Sequence, residues 1–206
     1  MKKNLLLASA LLLATLTYSQ WTPIPVENTT TPVTTLSGME GSVFVGFDGD
    51  GIFQSSDAGN SWTDISGNLT NKNINFLFAS TLDEPYLVGT QGGPFVGGII
   101  DEDGVYIDAT GTGLPSTDIT YFSKADDVDE IWLVGTRNDG VFTALDSENL
   151  VWNAANNGIS GDALKINGLS GYSDEINTWA LNTENGIYFS QNQFASWTSG
   201  NNGLSG

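Results

Sequence analysis

Cysteine and histidine are absent from this chain of 206 residues, and arginine occurs once, as Arg137. Without cysteine, an exported protein depends on a buried core rather than on disulfides for its stability. Without histidine or cysteine, histidine-based triads, thiol nucleophiles and ordinary zinc sites are excluded. Lysine and arginine number 6 against 24 acidic residues. Because proteins bind polyphosphate backbones through Lys and Arg, this balance excludes a nucleic-acid partner and disfavours anionic membranes.

The N-terminus has the form of a secretory signal peptide. Two lysines precede an apolar run of leucines and alanines, and the small residues Thr17 and Ser19 supply a cleavage site. The run is too short to span a bilayer, which takes roughly 20 apolar residues, so no membrane insertion is expected. We predict a signal peptide over 1–19 and an exported chain, periplasmic or extracellular, that begins near Gln20. Its 4 basic and 24 acidic residues would give a formal charge of −20.

Strand signals dominate over helix signals. Gly, Asn, Thr and Ser are frequent, and apolar residues occur in short runs such as VFVGF, YLVGT and IWLVGT. These runs have the length of strands, are rich in β-branched and aromatic residues, and are bounded by turn formers. The sequence therefore predicts an all-β protein.

A period of 45 residues runs through the chain. A large apolar residue recurs at this spacing, at Trp62, Ile107, Trp152 and Trp197. Each copy reads as four short strands, with a Gly-containing turn between the second and third strands that suits a tight hairpin. Four-stranded antiparallel units of this length are typical of β-propeller blades, which stack to bury their faces. We predict blades at about 32–66, 74–111, 118–155 and 163–199, with an extra strand at 21–25.

The stretch SSDAGNSW resembles an Asp-box, the pattern Ser/Thr-x-Asp-x-Gly-x-x-Trp of sialidase-like and sortilin-like propellers. Its matching residues are Ser55, Asp57, Gly59 and Trp62. The second and third copies are degenerate, and the fourth keeps only Trp197 in a recognisable place. The resemblance implies a structural hairpin between the third and fourth strands of a blade, with no catalytic role. Asp57 would accept N–H groups of the turn, Gly59 would take a left-handed backbone position, and Trp62 would fill the blade interface. Equivalent core positions are expected at Ile107, Trp152 and Trp197.

The number of blades is open. Residues 20–24 resemble the start of a fourth strand, so the chain reads as one extra strand followed by four blades. The product could be longer, the extra strand could lie outside a four-bladed ring, or an open arc could close by oligomerisation. We favour a longer product. The resemblance implies further blades or a C-terminal sorting domain beyond residue 206.

The composition separates the possible functions. The resemblance to sialidases would require three arginines around the substrate carboxylate, and the single arginine excludes that activity. The alternative is the propeller part of a glycoside hydrolase whose remaining domain lies beyond residue 206, because such enzymes use two carboxylates and acids are abundant. The sequence favours a non-catalytic binding or scaffold module for a glycan or protein. Its candidate ligand residues lie on the face that carries the second-to-third turns, which is less acidic than the opposite face: Asp48, Asp50, Arg137, Asn138 and Asp139.

No cofactor or metal is predicted. The turns DGDG (48–51) and DEDG (101–104) offer oxygen atoms that calcium could use. Neither turn has the spacing or the distal glutamate of an EF-hand loop, and a tight hairpin explains both. Calcium is therefore kept only as an alternative.

Intact mass spectrometry of the native protein tests the expectations about the chain ends. We expect an N-terminus near Gln20, because the signal peptide is removed, and a mass larger than that of residues 20–206, because further blades follow. A mass equal to that of residues 20–206 would contradict the expectation of a longer product.

Overall fold

The structure is a computed structural model that describes residues 25–26, 28–39, 41–79, 85–97, 105–125, 131–145, 149–172 and 178–204. The predicted signal peptide lies outside these residues, as does the predicted extra strand except for residue 25. The same holds for the turn DEDG (101–104) and for most of the acidic turns that join the first and second strands. In the part of the chain that is described, no helix is long and apolar enough to cross a membrane.

Four antiparallel sheets follow one another along the chain, each built of four strands. The first sheet contains β1 (Val33–Met39), β2 (Ser42–Phe47), β3 (Ile52–Ser55) and β4 (Thr63–Asp64). The second contains β5 (Ile74–Phe78), β6 (Tyr86–Thr90), β7 (Gly93–Gly97) and β8 (Tyr106–Asp108). The third contains β9 (Ile119–Ala125), β10 (Ile131–Thr136), β11 (Val141–Ala144) and β12 (Asn153–Ala154). The fourth contains β13 (Ile166–Tyr172), β14 (Thr178–Thr183), β15 (Gly186–Ser190) and β16 (Thr198–Ser199), and a short 3-10 helix (Gly161–Leu164) precedes it.

The sheets pack face to face around their first strands. Within each sheet the strands pair in chain order, which leaves the first strand at one edge. These first strands contact one another in series, β1 with β5, β5 with β9 and β9 with β13. Among the described residues the fourth sheet does not close onto the first, so the arrangement is an open arc. The all-β prediction and the four-stranded repeat are confirmed.

An apolar layer fills each of the three spaces between neighbouring sheets. The first layer is built around Phe44, Ile52, Ile74 and Val88. The second is built around Leu87, Ile119, Phe122 and Val134. The third is built around Leu133, Val141, Ile166 and Leu181. Alternate residues of one strand thus enter opposite layers, so the second and third sheets are buried on both faces and depend on their neighbours for stability.

A glycine on the second strand of the first three sheets sets the distance to the next sheet. These interface glycines, Gly46, Gly89 and Gly135, share one register and pair with Ile52, Pro94 and Val141. A Cβ at the three positions would lie 2.7, 2.9 and 2.6 Å from the Cγ2 atom of the isoleucine that opens the next sheet, namely Ile74, Ile119 and Ile166. A side-chain carbon does not fit at such distances. The sheets can therefore approach this closely only where the second strand carries glycine.

Hydrogen bonds also join the second, third and fourth sheets to the sheet before each of them. The donor is an aromatic residue at the start of the fourth strand. The Tyr106 hydroxyl donates to the Ile65 carbonyl (3.0 Å), Trp152 Nε1 to the Ala109 carbonyl (3.1 Å), and Trp197 Nε1 to the Ala155 carbonyl (2.7 Å). Each acceptor lies three residues after the equivalent aromatic residue of the preceding sheet. Burial raises the pKa of the Tyr106 hydroxyl, which keeps this donor protonated. Trp62 is the first member of the series, and its indole nitrogen is buried without an acceptor among the described residues.

The prediction that Ile107 is a core residue is wrong. Its side chain is 65% exposed, whereas that of Tyr106 is 4% exposed and packs between the first and second sheets. The strand register explains the shift, because Phe95 pairs with Asp108 as Phe53 pairs with Asp64. The residue equivalent to Trp62 is therefore Tyr106, one position before the 45-residue period places it.

Replacement of Gly135 by alanine tests the role of the interface glycines. We expect Gly135→Ala to lower the free energy of unfolding by about 1–3 kcal/mol, because the new methyl group overpacks the space beside Ile166. Gly168→Ala is the matched control, since Gly168 also lies in a strand but has no atom within 4 Å of a Cβ. Urea denaturation of both variants makes the comparison. Equal losses of stability in the two variants would contradict this role.

Candidate functional site

A cavity of about 260 Å³ lies where the first strands of the four sheets begin. Arg137 lines it from the turn after β10. The other lining residues are the second residues of the four first strands: Thr34, Asn75, Thr120 and Asn167. Because each sheet contributes the same position, the cavity lies on the axis of the arc. We call it the central cavity.

One ion pair and an amide form the polar network beside the central cavity. Arg137 Nε donates to Asp118 Oδ2 (2.8 Å), and the Asn75 amide donates to Asp118 Oδ1 (2.8 Å). Arg137 Nη2 is a further 3.5 Å from Asn75 Oδ1. Both oxygens of Asp118 therefore accept a charge-assisted or amide hydrogen bond. The side chain of Arg137 remains 49% exposed, so part of the guanidinium is available to a ligand.

Two lining residues also connect neighbouring sheets. The Thr34 hydroxyl donates to the carbonyl of Ile74, and the Asn75 amide donates to the carbonyl of Ile119 (3.0 Å). Thr120 occupies the equivalent place in the third sheet, yet its hydroxyl is buried with no hydrogen-bond partner among the described residues. The lining of the central cavity is thus held by the contacts between sheets.

In the part of the chain that the structure describes, the lining consists of hydroxyl, amide and guanidinium groups and contains no carboxylate. Such groups hydrogen-bond hydroxyls, amides and carbonyls of a ligand, but they include no general base. The four lining residues of the strands escaped the sequence analysis. Their signal is a short polar residue directly after the Val or Ile that opens each first strand, in the pairs Val33-Thr34, Ile74-Asn75, Ile119-Thr120 and Ile166-Asn167.

Of the five predicted ligand residues, Arg137 alone lines the central cavity. Asp50 instead binds the segment before β1, since its Oδ2 accepts hydrogen bonds from Thr30 N (2.7 Å), Thr31 N (2.8 Å) and Thr31 Oγ1 (2.8 Å). The hydrogen bond from the Thr30 backbone is the largest of the causes that hold the pKa of Asp50 below its ordinary value. This carboxylate is therefore occupied by the protein itself.

The other three predicted ligand residues lie in second-to-third turns. Asp48 is exposed and forms an isolated backbone bridge with Asn73. Asn138 is exposed in the turn after β10. The Asp139 N–H donates to Thr136 Oγ1 (3.0 Å), and its carbonyl accepts the Asn156 amide (3.0 Å). No group of three or more acidic residues within the described ranges could hold a metal ion.

The stretch SSDAGNSW forms the turn between β3 and β4. Asp57 Oδ1 accepts the Ser61 N–H (2.8 Å) and the Ser55 hydroxyl (2.9 Å), and its Oδ2 accepts the Ser61 hydroxyl (2.7 Å). The Gly59 N–H donates to Ser55 Oγ (2.8 Å), and Gly59 has a φ of +87°. Trp62 packs on the apolar cluster that lies on the face of the first sheet opposite the second sheet. Every polar atom of Asp57 is therefore engaged within the turn.

The fourth sheet repeats this turn, which the sequence analysis missed. Asn192 Oδ1 accepts the Ser196 N–H (3.0 Å) and the Ser190 hydroxyl (3.0 Å), and the Phe194 N–H donates to Ser190 Oγ (3.1 Å). Gln193 and Phe194 have positive φ angles of 53° and 67°, as Ala58 and Gly59 have at 59° and 87°. The expectation that this copy keeps only its tryptophan is wrong, because asparagine supplies the same acceptor as aspartate. In the equivalent turns of the second and third sheets, residues 98–104 and 146–148 lie outside the described residues.

Solved structures share this fold. The chain is similar to the extracellular domain of a one-component system from B. thetaiotaomicron, with a TM-score of 0.62 and 18% sequence identity over 84% of this chain and 23% of that chain. It is similar to an ancestral GH74 enzyme, with a TM-score of 0.63 and 19% identity over 86% of this chain and 25% of that chain. A GH74 xyloglucanase from Xanthomonas campestris gives a TM-score of 0.56 and 14% identity over 87% and 31%. The fold is that of a β-propeller.

At these levels of sequence identity, the similarity to the solved structures shows the fold alone. The chain spans about a quarter of the length of the first two of these proteins. No family model matches the sequence, and no curated protein matches it.

Replacement of Asp57 by asparagine tests the turn through its pH dependence. The hydrogen bond from the Ser61 hydroxyl, followed by those from the Ser61 N–H and the Ser55 hydroxyl, holds the pKa of Asp57 below its ordinary value. A depressed folded-state pKa gives stability that is complete above the ordinary carboxyl pKa, at about 4, and is lost as the pH falls through the folded value. We expect Asp57→Asn to keep the turn, as Asn192 does, and to unfold with a weaker dependence on acid below about pH 4.

Thermal unfolding of the wild type and Asp57→Asn across the acidic range measures this difference. Asp50 contributes an acid dependence of its own, so the difference between the proteins, rather than the total slope, is the readout. Asp57→Ala is the control that loses the turn contacts at every pH. An identical acid dependence of the wild type and Asp57→Asn would contradict the assignment.

Proposed function

We propose that this protein is an exported, non-catalytic Asp-box propeller that binds a glycan or protein ligand in its central cavity. The observation that carries the proposal is the composition of the cavity. Every sheet contributes one short polar side chain, and the single arginine of the chain joins them. Concave sites that combine a few well-placed polar groups are the usual binding sites of folded proteins.

Two features support the Asp-box assignment. Ser55, Asp57, Gly59 and Trp62 match the pattern, and their turn has the closed hydrogen-bond network that the pattern implies. The turn around Asn192 has the same network, with asparagine in place of aspartate. A structural turn that recurs in two sheets is consistent with a repeat family and assigns no chemistry to Asp57.

Export rests on the N-terminal segment and on the character of the similar proteins. The sequence opens with two lysines and an apolar run that resemble a signal peptide. One of the similar structures is the extracellular domain of a sensor system. The absence of cysteine and the strong acidity of the chain agree with a protein that stays soluble outside the cytoplasm through its charge and its core.

A glycoside hydrolase is the second candidate, because two of the similar structures are GH74 enzymes. Retaining and inverting hydrolases need two carboxyl groups that flank the scissile bond. The described residues that line the central cavity provide no carboxyl group, and the adjacent Asp118 is paired with Arg137. The binding function is therefore favoured, and hydrolysis of soluble polysaccharides by the purified protein would overturn it.

Replacement of Arg137 tests the central cavity. Purified wild type and Arg137→Ala are compared for binding to immobilised glucan, xylan, mannan and galactan oligosaccharides and to unstructured peptides of mixed composition. We expect the variant to lose roughly tenfold or more in affinity for at least one probe that the wild type binds, since hydrogen bonds to a charged group are worth about 1.5–3 kcal/mol. Lys165→Ala is the charge-matched control, because Lys165 forms surface ion pairs with Asp162 (3.1 Å) and Glu184 (2.7 Å).

Thermal unfolding of both variants guards against a loss of fold. If Arg137→Ala is markedly less stable, Arg137→Lys, which keeps the charge beside Asp118, replaces it. Equal affinity of the wild type and the folded Arg137 variant for every bound probe would overturn the assignment of the central cavity.

A further inference from the structure

A groove of about 550 Å³ runs along the face of the fourth sheet that points away from the third sheet. We call it the outer groove. Among the residues that the structure describes, its lining contains one aromatic ring and otherwise hydroxyl and amide side chains, with no charged group: Thr178, Phe189, Gln191, Asn192, Ser196, Thr198 and Ser199. It lies apart from the central cavity, and the two share no lining residue.

The face that carries the outer groove differs from the equivalent face of the other three sheets. Asn182 occupies the position of the interface glycine Gly135, because it has the same place in the pairing of the second and third strands. The fourth sheet therefore has asparagine where the close approach of a further sheet would require glycine. Ala180 occupies the position that the buried Leu133 has in the third sheet, and it pairs with Phe189. This face therefore does not offer the packing surface by which each of the first three sheets receives its neighbour.

The first sheet contains a smaller version of the same groove, which serves as an internal comparison. Five of its lining residues lie 135 positions before five of the outer groove: Gln54, Ser56, Asp57, Ser61 and Thr63. Its volume is about 170 Å³. The two grooves differ chemically at two equivalent positions. The first sheet has Gln54 and Asp57 where the fourth sheet has Phe189 and Asn192. The fourth sheet has thus gained an aromatic ring and lost a negative charge at this place.

Phe189 is held in an exposed position. Its ring lies against Gly200, where a Cβ would be only 2.2 Å from the ring atom Cε2, and the side chain is 40% exposed. One side of the ring is therefore fixed on the backbone of the chain after β16, and the rest is open to the groove. The Gln191 amide lies 3.4 Å from the Thr178 hydroxyl, so the polar groups beside the ring are also ordered.

We infer that the outer groove is a binding site for a neutral oligosaccharide. The electron-rich face of an aromatic ring attracts the C–H groups on the apolar face of a sugar ring. Amide and hydroxyl side chains both donate and accept, as the hydroxyls of a sugar require. The described lining offers no cation to an anionic ligand, and the strong acidity of the chain repels one, so a neutral ligand is favoured. The volume is in the range of small-ligand sites, about 300–1,000 Å³.

Isothermal titration calorimetry with neutral gluco-, xylo-, manno- and galacto-hexasaccharides tests this inference. We expect at least one hexasaccharide to bind the wild type and Phe189→Gln, which restores the residue of the first sheet, to weaken that binding roughly tenfold or more. Ile107→Gln is the control, because it also removes an exposed apolar side chain, in this case from the second sheet. Its affinity should equal that of the wild type.

Two further measurements separate this site from the central cavity and from self-association. A saccharide that Arg137→Ala loses and Phe189→Gln retains would assign the ligand to the central cavity and overturn the outer groove. The inference would also fail if no neutral hexasaccharide binds, or if light scattering shows a wild-type dimer that Phe189→Gln dissociates, since a second copy would then cover the groove.

Discussion

The contact between the second strand of one sheet and the first isoleucine of the next sheet organises this molecule. At Gly135 the backbone comes so close to Ile166 that no side chain fits between them, and the same contact recurs at the two preceding interfaces. It brings apolar faces together that a single sheet would leave in water. The hydrogen bonds of Tyr106, Trp152 and Trp197 then fix each pair of sheets at the opposite edge.

Both candidate sites follow from this packing. Where the first strands converge, their second residues meet around one axis, and the central cavity with Arg137 is the result. Where the packing pattern stops, at Asn182 and Ala180, the sheet face remains open, and Phe189 lies in a groove instead of an interface. The same repeat thus produces one candidate site through four equivalent positions, and a second candidate site where the fourth sheet departs from the pattern of the first three.

The sequence predicts the sheets well because their spacing and turn residues are local. Trp152 and Trp197 are buried where the period places them, but Ile107 is not, because the pairing of Phe95 with Asp108 brings Tyr106 to the buried position. The turn around Asn192 does not match the Asp-box pattern by residue identity, because the pattern requires aspartate. The side-chain oxygen of asparagine nevertheless accepts the same hydrogen bonds. A single short polar residue such as Thr34 carries no signal by itself. The signal is its recurrence in all four copies, directly after the Val or Ile that opens each first strand.

Hydrogen exchange of the tryptophan indole groups, followed by NMR spectroscopy, tests the packing most directly. Trp152 and Trp197 each donate their indole N–H to a carbonyl of the preceding sheet. Both N–H groups should therefore exchange slowly, because exchange requires the sheets to separate. Rapid exchange of either indole under conditions where the protein is folded would contradict the account of how the sheets are held together.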